Sequence, residues 1–193
     1  MSEAPATVRE THEGGAMHVG HSSLTEDDQA LVADLHDWLT GNRQVEGLLN
    51  DYVFRGNVPP WYSELLSNLT LLCGGDMVEA AFVDVDVDTY MVIVRVVTTH
   101  RIVEARATGR REARDLECRA VSRRGVSEIR TEEPFGLVDR DERRTWPGVF
   151  VLTVTVEGFD EPLRLAPSNQ SSFGARQPDM NALTRSFLTN LDG

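Results

Sequence analysis

At Gly74-Gly75 the spacing of apolar residues switches from a helical period to a period of two. The chain before that step must fold as helices and the chain after it as strands, so neither an all-α nor an all-β chain fits. Three amphipathic segments lead up to it. In the first, Leu31, Leu35, Trp38 and Leu39 fall on one stripe. Ser23-Leu-Thr-Glu26 has the form of a capping box in front of it, and Thr25-x-x-Asp28 overlaps as a second version. Glu26, Asp27 and Asp28 stand in its first turn, where the helix dipole favours negative charge. Val45, Leu48, Leu49, Tyr52 and Val53 mark a second helix between Gly41-Asn42 and Gly56-Asn57. Pro59-Pro60 opens a third, with Trp61, Leu65, Leu66, Leu69 and Leu72 as its apolar face.

Beyond Gly75 the residues are β-branched and alternate. Val83, Val85 and Val87 stand opposite Asp84, Asp86 and Asp88. The run YMVIVRVVTTHRIVEARA is too long for one strand and predicts a bend or two strands. GRREARD reads as a hairpin tip, and LECRAVSRRGVSEIRTEE resumes strand character around Arg124-Gly125. The loop PFGLVDRDERRTWPG leads into VFVLTVTV, the clearest strand, which turns at Glu157-Gly158-Phe159-Asp160 and returns as PLRLAP. Asp179 caps a last helix with Leu183, Phe187, Leu188 and Leu191 as its stripe. Strands in series without βαβ alternation predict an α+β fold: short amphipathic helices, then an antiparallel sheet or small barrel closed by a C-terminal helix. The organisation expected is a flexible tail at 1–22, a helical extension at 23–75 and a β domain at 76–193.

From about residue 76 to 191 this order resembles the bacterial pleckstrin-homology-like (PH-like, GRAM-type) domains. The resemblance is carried by VRVVTTHRIVEARA, with its Thr98-Thr-His-Arg101-Ile102-Val103 step, by LECRAVSRRGVSEIR, and by VFVLTVTVEGFDEPLRL before NALTRSFLTNL. It implies a partly open antiparallel barrel capped by the last helix, binding peptides, proteins or lipid head groups, and it brings no catalytic site. Residues 24–73 and the long loop at 134–147 depart from that pattern.

Charge narrows the function. The chain carries a net −12, and all 19 basic residues are arginine, a composition that a GC-rich genome explains. Residues 1–94 hold a net −13, residues 95–130 a net +5 and residues 131–193 a net −4. An acidic chain of this kind repels nucleic acid and anionic membrane as a whole. The exception is the cluster Arg106, Arg110, Arg111, Arg114, Arg119, Arg123 and Arg124, whose forks suit phosphate or carboxylate. No aromatic residue lies between 95 and 130, so a stacking platform for single-stranded nucleic acid is missing. These arginines either form a contact surface or stand as outward strand positions paired with acidic residues. Trp61-Tyr62 and Trp146 sit at element edges, where such residues anchor a helix to a sheet or enter an interface.

Other chemistry finds little support. Asp84, Asp86 and Asp88 are spaced too widely along a strand for adjacent ligands of one cation, about 6.5–7 Å per step. His12, His18 and His21 lie in the tail with nothing to fix their geometry as a metal site, and no cofactor or metal is expected. No nucleophile elbow or Walker, Rossmann or zinc pattern occurs. Cys73 and Cys118 read as small buried hydrophobes in a reducing compartment, with a cytoplasmic location expected. No apolar run approaches the roughly 18 residues a membrane helix needs. The expected function is therefore a non-enzymatic interaction module binding a protein partner or itself. The alternatives are an anionic lipid or phosphate site on segment 95–130, and an acidic secretion-chaperone-like dimer.

Overall fold

A computed structural model describes residues 25–53, 58–86, 88–89, 91–108, 115–132, 150–167 and 176–191, with side chains for all but 50–53 and 190. The helices are α1 (Glu26–Thr40), α2 (Arg43–Val53) and α3 (Pro60–Cys73), with α4 (Met180–Leu191) at the far end. Thr25 caps α1: its hydroxyl accepts from the Asp28 N–H, and the Asp28 carboxylate accepts from the Thr25 N–H. Of the two overlapping boxes in the sequence, this is the second. Pro60 sits in the first turn of α3, where a missing N–H costs no hydrogen bond. The helix ends at Gly74, whose φ of 60° is left-handed and whose N–H returns to the Thr70 carbonyl at 3.2 Å.

The strands form two antiparallel sheets, so the fold is α+β. The first has the order β1 (Val78–Asp86), β2 (Met91–Thr98), β3 (Arg101–Thr108) and β4 (Asp115–Ser122). The run expected to bend is β2 and β3, joined at Thr99-His100. A single 3₁₀ turn, Arg123–Gly125, passes the chain to the second sheet, β5 (Val126–Glu132), β6 (Val151–Val156) and β7 (Leu163–Leu165).

The first sheet is covered on both faces, because its side chains alternate between two cores. Val83, Val94, Val96, Val103 and Ala105 pack under α1, α2 and α3, together with Leu35, Leu65 and Leu69. Phe82, Val97 and Ile102 point the other way, onto Leu152, Val154 and Leu165 of the second sheet and Leu183 and Phe187 of α4. The helices α1, α2 and α3 thus share a hydrophobic core with one face of the first sheet, and α4 lies in the core on the other. Asp179 caps α4 by accepting from the N–H groups of Asn181 and Ala182, both at 3.0 Å. The expected α4 stripe needs correction. Met180, Leu183 and Phe187 are buried, whereas Leu188 and Leu191 face solvent.

Candidate functional site

On the face of β2, β3 and β4 that looks toward the second sheet, one row of side chains is charged. Register places Arg95 opposite Glu104 and Glu104 opposite Arg119, a row across three strands. Glu104 is buried, and it holds three guanidinium groups. Arg95 Nε donates to Oε2 at 2.9 Å, Arg106 Nε to Oε1 at 3.0 Å, and Arg119 Nη2 lies 3.4 Å from Oε1. Arg95 also reaches Asp84 at 2.7 Å and the Arg164 carbonyl at 3.3 Å. Arg119 lies over the Phe159 ring at 4.0 Å and donates to the Gly158 carbonyl at 3.3 Å. These contacts stitch the first sheet to the β6–β7 turn.

The resulting cleft has a volume of about 510 Å³. Arg95, Arg106 and Arg119 line it, but so do Glu104, Glu117, Asp160 and Glu161. Carboxylates outnumber guanidiniums, so an added anion would meet arginines that are already neutralised. Cys118 borders the cleft as well, but its side chain packs against the core under the helices, where burial pushes its thiol up and lowers the thiolate fraction that a nucleophile needs.

Arg123 is the clearest departure from the expected contact surface. It is buried, pairs with Glu79 at 2.9 Å and donates to the Thr98 carbonyl at 2.7 Å. Its second nitrogen donates to Ser186 Oγ at 3.1 Å, and its plane covers the Phe187 ring. Arg123 therefore belongs to the core. Trp61 and Tyr62 take the packing role of the two that the sequence allows: both are buried at the start of α3. The Tyr62 hydroxyl lies 2.9 Å from His36 Nδ1. Burial, and to a lesser degree the charge of Asp37, hold the Tyr62 hydroxyl well above its ordinary range. Of the expected contact residues, Arg106 and Arg124 remain exposed. Arg110, Arg111, Arg114 and Trp146 lie outside the described residues, as do His12, His18 and His21.

A second, larger groove of about 870 Å³ runs between the end of α3, the β2–β3 turn and the end of β4. Leu71, Leu72 and Val121 line it with apolar side chains, and His100, Arg101 and Arg124 with basic ones. Arg101 is occupied in part: it donates to the Cys73 carbonyl at 2.7 Å, closing α3, and lies 3.5 Å from Asp76. Leu71 is 78% exposed, unusual for leucine beside a groove. Of the aspartates weighed and set aside as cation ligands, Asp84 pairs with Arg95, and Asp86 accepts from the N–H groups of Asp88 and Thr89. Among the described residues, no three His, Cys, Asp or Glu side chains gather closely enough to hold a metal ion.

Glu79, Arg95 and Glu104 were not singled out from the sequence as site residues. The signal for two of them is local: Arg95 and Glu104 each interrupt a β-branched run, and they lie nine residues apart across one hairpin. No protein-family model matches the chain, and no curated protein and no solved structure is significantly similar to it.

Proposed function

We propose that the chain is a non-catalytic, PH-like interaction module that binds protein in preference to anionic lipid, phosphate or nucleic acid. The observation that carries this reading is the use of its arginines. Buried Glu104 engages Arg95, Arg106 and Arg119, Asp84 also holds Arg95, and Glu79 engages Arg123, so these four arginines are tied to carboxylates of the fold. Acidic side chains then rim the cleft. Seven antiparallel strands in two sheets followed by α4 support the PH-like part of the reading. The open side of β4, with exposed Leu71 beside it, supplies the protein-binding surface.

Flotation with phosphatidylcholine vesicles, with and without phosphatidylserine and phosphoinositide, tests the lipid alternative at low and moderate salt. The chain stays with the unbound fraction at both. Flotation that depends on the anionic lipid and fades as salt rises would overturn the reading, since that salt dependence marks phosphate contacts. A photo-crosslinking residue at Leu71 tests the protein side in the source cell. The expected product is an adduct of one defined protein mass, identified by mass spectrometry, and adducts to lipid alone would count against the proposal.

A further inference from the structure

The β4 strand is the open edge of the first sheet. None of its residues is fully buried, whereas β2 and β3 are largely enclosed, and no described segment pairs with its outer side. The other edge, β1, lies against α1 and has the Val83 carbonyl within 3.4 Å of Asn42 Nδ2. A bare edge is a template for another strand.

The ladder shows which backbone groups are available. The Arg123 N–H donates to the His100 carbonyl at 2.9 Å, which continues the β3–β4 register by one step. Bonded pairs alternate along an antiparallel ladder, so Val121, Arg119 and Glu117 bond inward to β3. The N–H and C=O groups of Leu116, Cys118, Ala120 and Ser122 point outward.

We propose that this edge pairs with the same edge of a second copy, antiparallel, about a two-fold axis at Cys118. The proposal rests on the protein-binding reading above and names the partner. Outward positions can meet only outward positions, which restricts the register to steps of two. With Cys118 on the axis, Glu117 faces Arg119 of the other copy twice, and Leu116 faces Ala120 twice. A register centred on Arg119 sets two arginines against each other. One centred on Glu117 matches Asp115 with Arg119 but opposes two glutamates. Opposite charges across strands stabilise and like charges destabilise, so the Cys118 register is selected.

The side chains agree with this. Glu117 is exposed and makes no ion pair with a described residue, and 39% of the Arg119 side chain remains accessible beyond its contact with Glu104. The axis stands perpendicular to the sheet, so α1, α2 and α3 of both copies lie on one face of a continuous eight-stranded sheet, and the second sheets with α4 on the other. The groove beside Ala120 and Val121 then faces the second copy, which covers Leu71.

The full chain supplies its own probe. Cys73 is wholly buried, which leaves Cys118 as the accessible thiol. A bonded antiparallel pair holds its Cα atoms about 5.5 Å apart, within reach of a disulfide. Under copper–phenanthroline and oxygen, two Cys118 thiols give up two electrons and two protons to oxygen and form the bond between copies. Light scattering on the untreated chain is expected to report a dimer, and non-reducing electrophoresis after oxidation a covalent dimer absent from Cys118→Ser. Glu117→Arg turns two attractive pairs into two like-charge pairs, so the dissociation constant rises by about tenfold or more with the monomer fold retained. Ala120→Pro removes one outward N–H without touching the β3 ladder and gives a folded monomer by circular dichroism. A chain that stays monomeric as concentration rises overturns the inference. So does a dimer that survives Glu117→Arg and Ala120→Pro, or one that fails to crosslink through Cys118. A monomer that still gives a Leu71 adduct to a different protein sinks the dimer and leaves the binding-module reading standing.

Discussion

Arg123 and Glu79 form an ion pair of 2.9 Å in which the arginine side chain is 1% exposed. The pair joins four elements: Glu79 sits at the β1 bulge, Arg123 in the 3₁₀ turn, the Thr98 carbonyl at the end of β2, and Ser186 on α4. Ser186 Oγ in turn donates to Glu79 Oε1 at 3.1 Å, which closes the network. Here the chain passes from the first sheet to the second, so the turn is held by charge as well as by packing.

Arg123→Met is expected to cost about 3–5 kcal/mol, because it strands a carboxylate with limited access to water. Glu79→Gln keeps the shape and the Ser186 contact, and about 1–3 kcal/mol is expected. Urea unfolding followed by circular dichroism measures both. Losses below about 0.5 kcal/mol, the range of ordinary surface changes, would show that the pair does not hold the turn.

Glu104 gives a second prediction, because one buried carboxylate serves three guanidiniums. Glu104→Gln removes that charge and leaves Arg95 with Asp84 while Arg106 and Arg119 lose their shared partner. A loss of about 3 kcal/mol or more is expected, as for a broken buried pair. The variant should also gain salt-sensitive flotation with phosphatidylserine vesicles, which the parent lacks. Unchanged stability together with unchanged flotation would remove Glu104 from its assigned role.

Much of the architecture was legible because period and punctuation carry it. The three N-terminal helices, a break within the run 90–107 and the Asp179 cap all follow from local pattern, and local pattern fixes local hydrogen bonding. The site was less legible. Whether Arg123 faces water or core depends on the bulge at Val78/Ala80, on Thr98 and on α4, some 60 residues further along the chain. Arginine in a charged run looks like a solvated face when its carboxylate lies far off in sequence, as Glu79 does. Leu188 failed for a related reason: its place on the stripe was right, but α4 covers only the width that the second sheet offers.

Gly74 and Gly75 provide an internally controlled test. Both have positive φ, 60° and 80°, where an alanine side chain is strained by about 1–2 kcal/mol. They differ in surroundings. A Cβ on Gly74 would collide with Arg101 Nη1, the group that closes α3, while a Cβ on Gly75 meets nothing within 4 Å. Gly74→Ala should therefore lower the unfolding free energy by more than Gly75→Ala, by roughly the worth of one hydrogen bond to a charged donor, about 1.5–3 kcal/mol. Equal losses would show that Arg101 swings aside freely.

The last prediction concerns alkaline pH. Burial, reinforced by the charge of Asp76 and opposed by Arg101, pushes the Cys73 thiol from 9.0 up to about 12. Tyr62 is shifted in the same direction, mainly by burial. A group whose pKa is raised by folding contributes stability that is fully present below its unfolded value and is lost as pH rises towards the folded one. For Cys73 that window opens near 9.0 and closes near about 12, and Tyr62 adds to the loss in its upper part. Within it, each proton bound by the folded chain but not the unfolded one steepens the fall by up to about 1.4 kcal/mol per pH unit. Urea midpoints measured from about pH 8 to about pH 11 should fall along this course. Cys73→Ala starts lower because it leaves a cavity, yet its midpoint should decline less steeply across the window. Parallel slopes for parent and variant would mean that the thiol does not titrate with unfolding, and that Tyr62 and the acidic surface account for the alkaline loss.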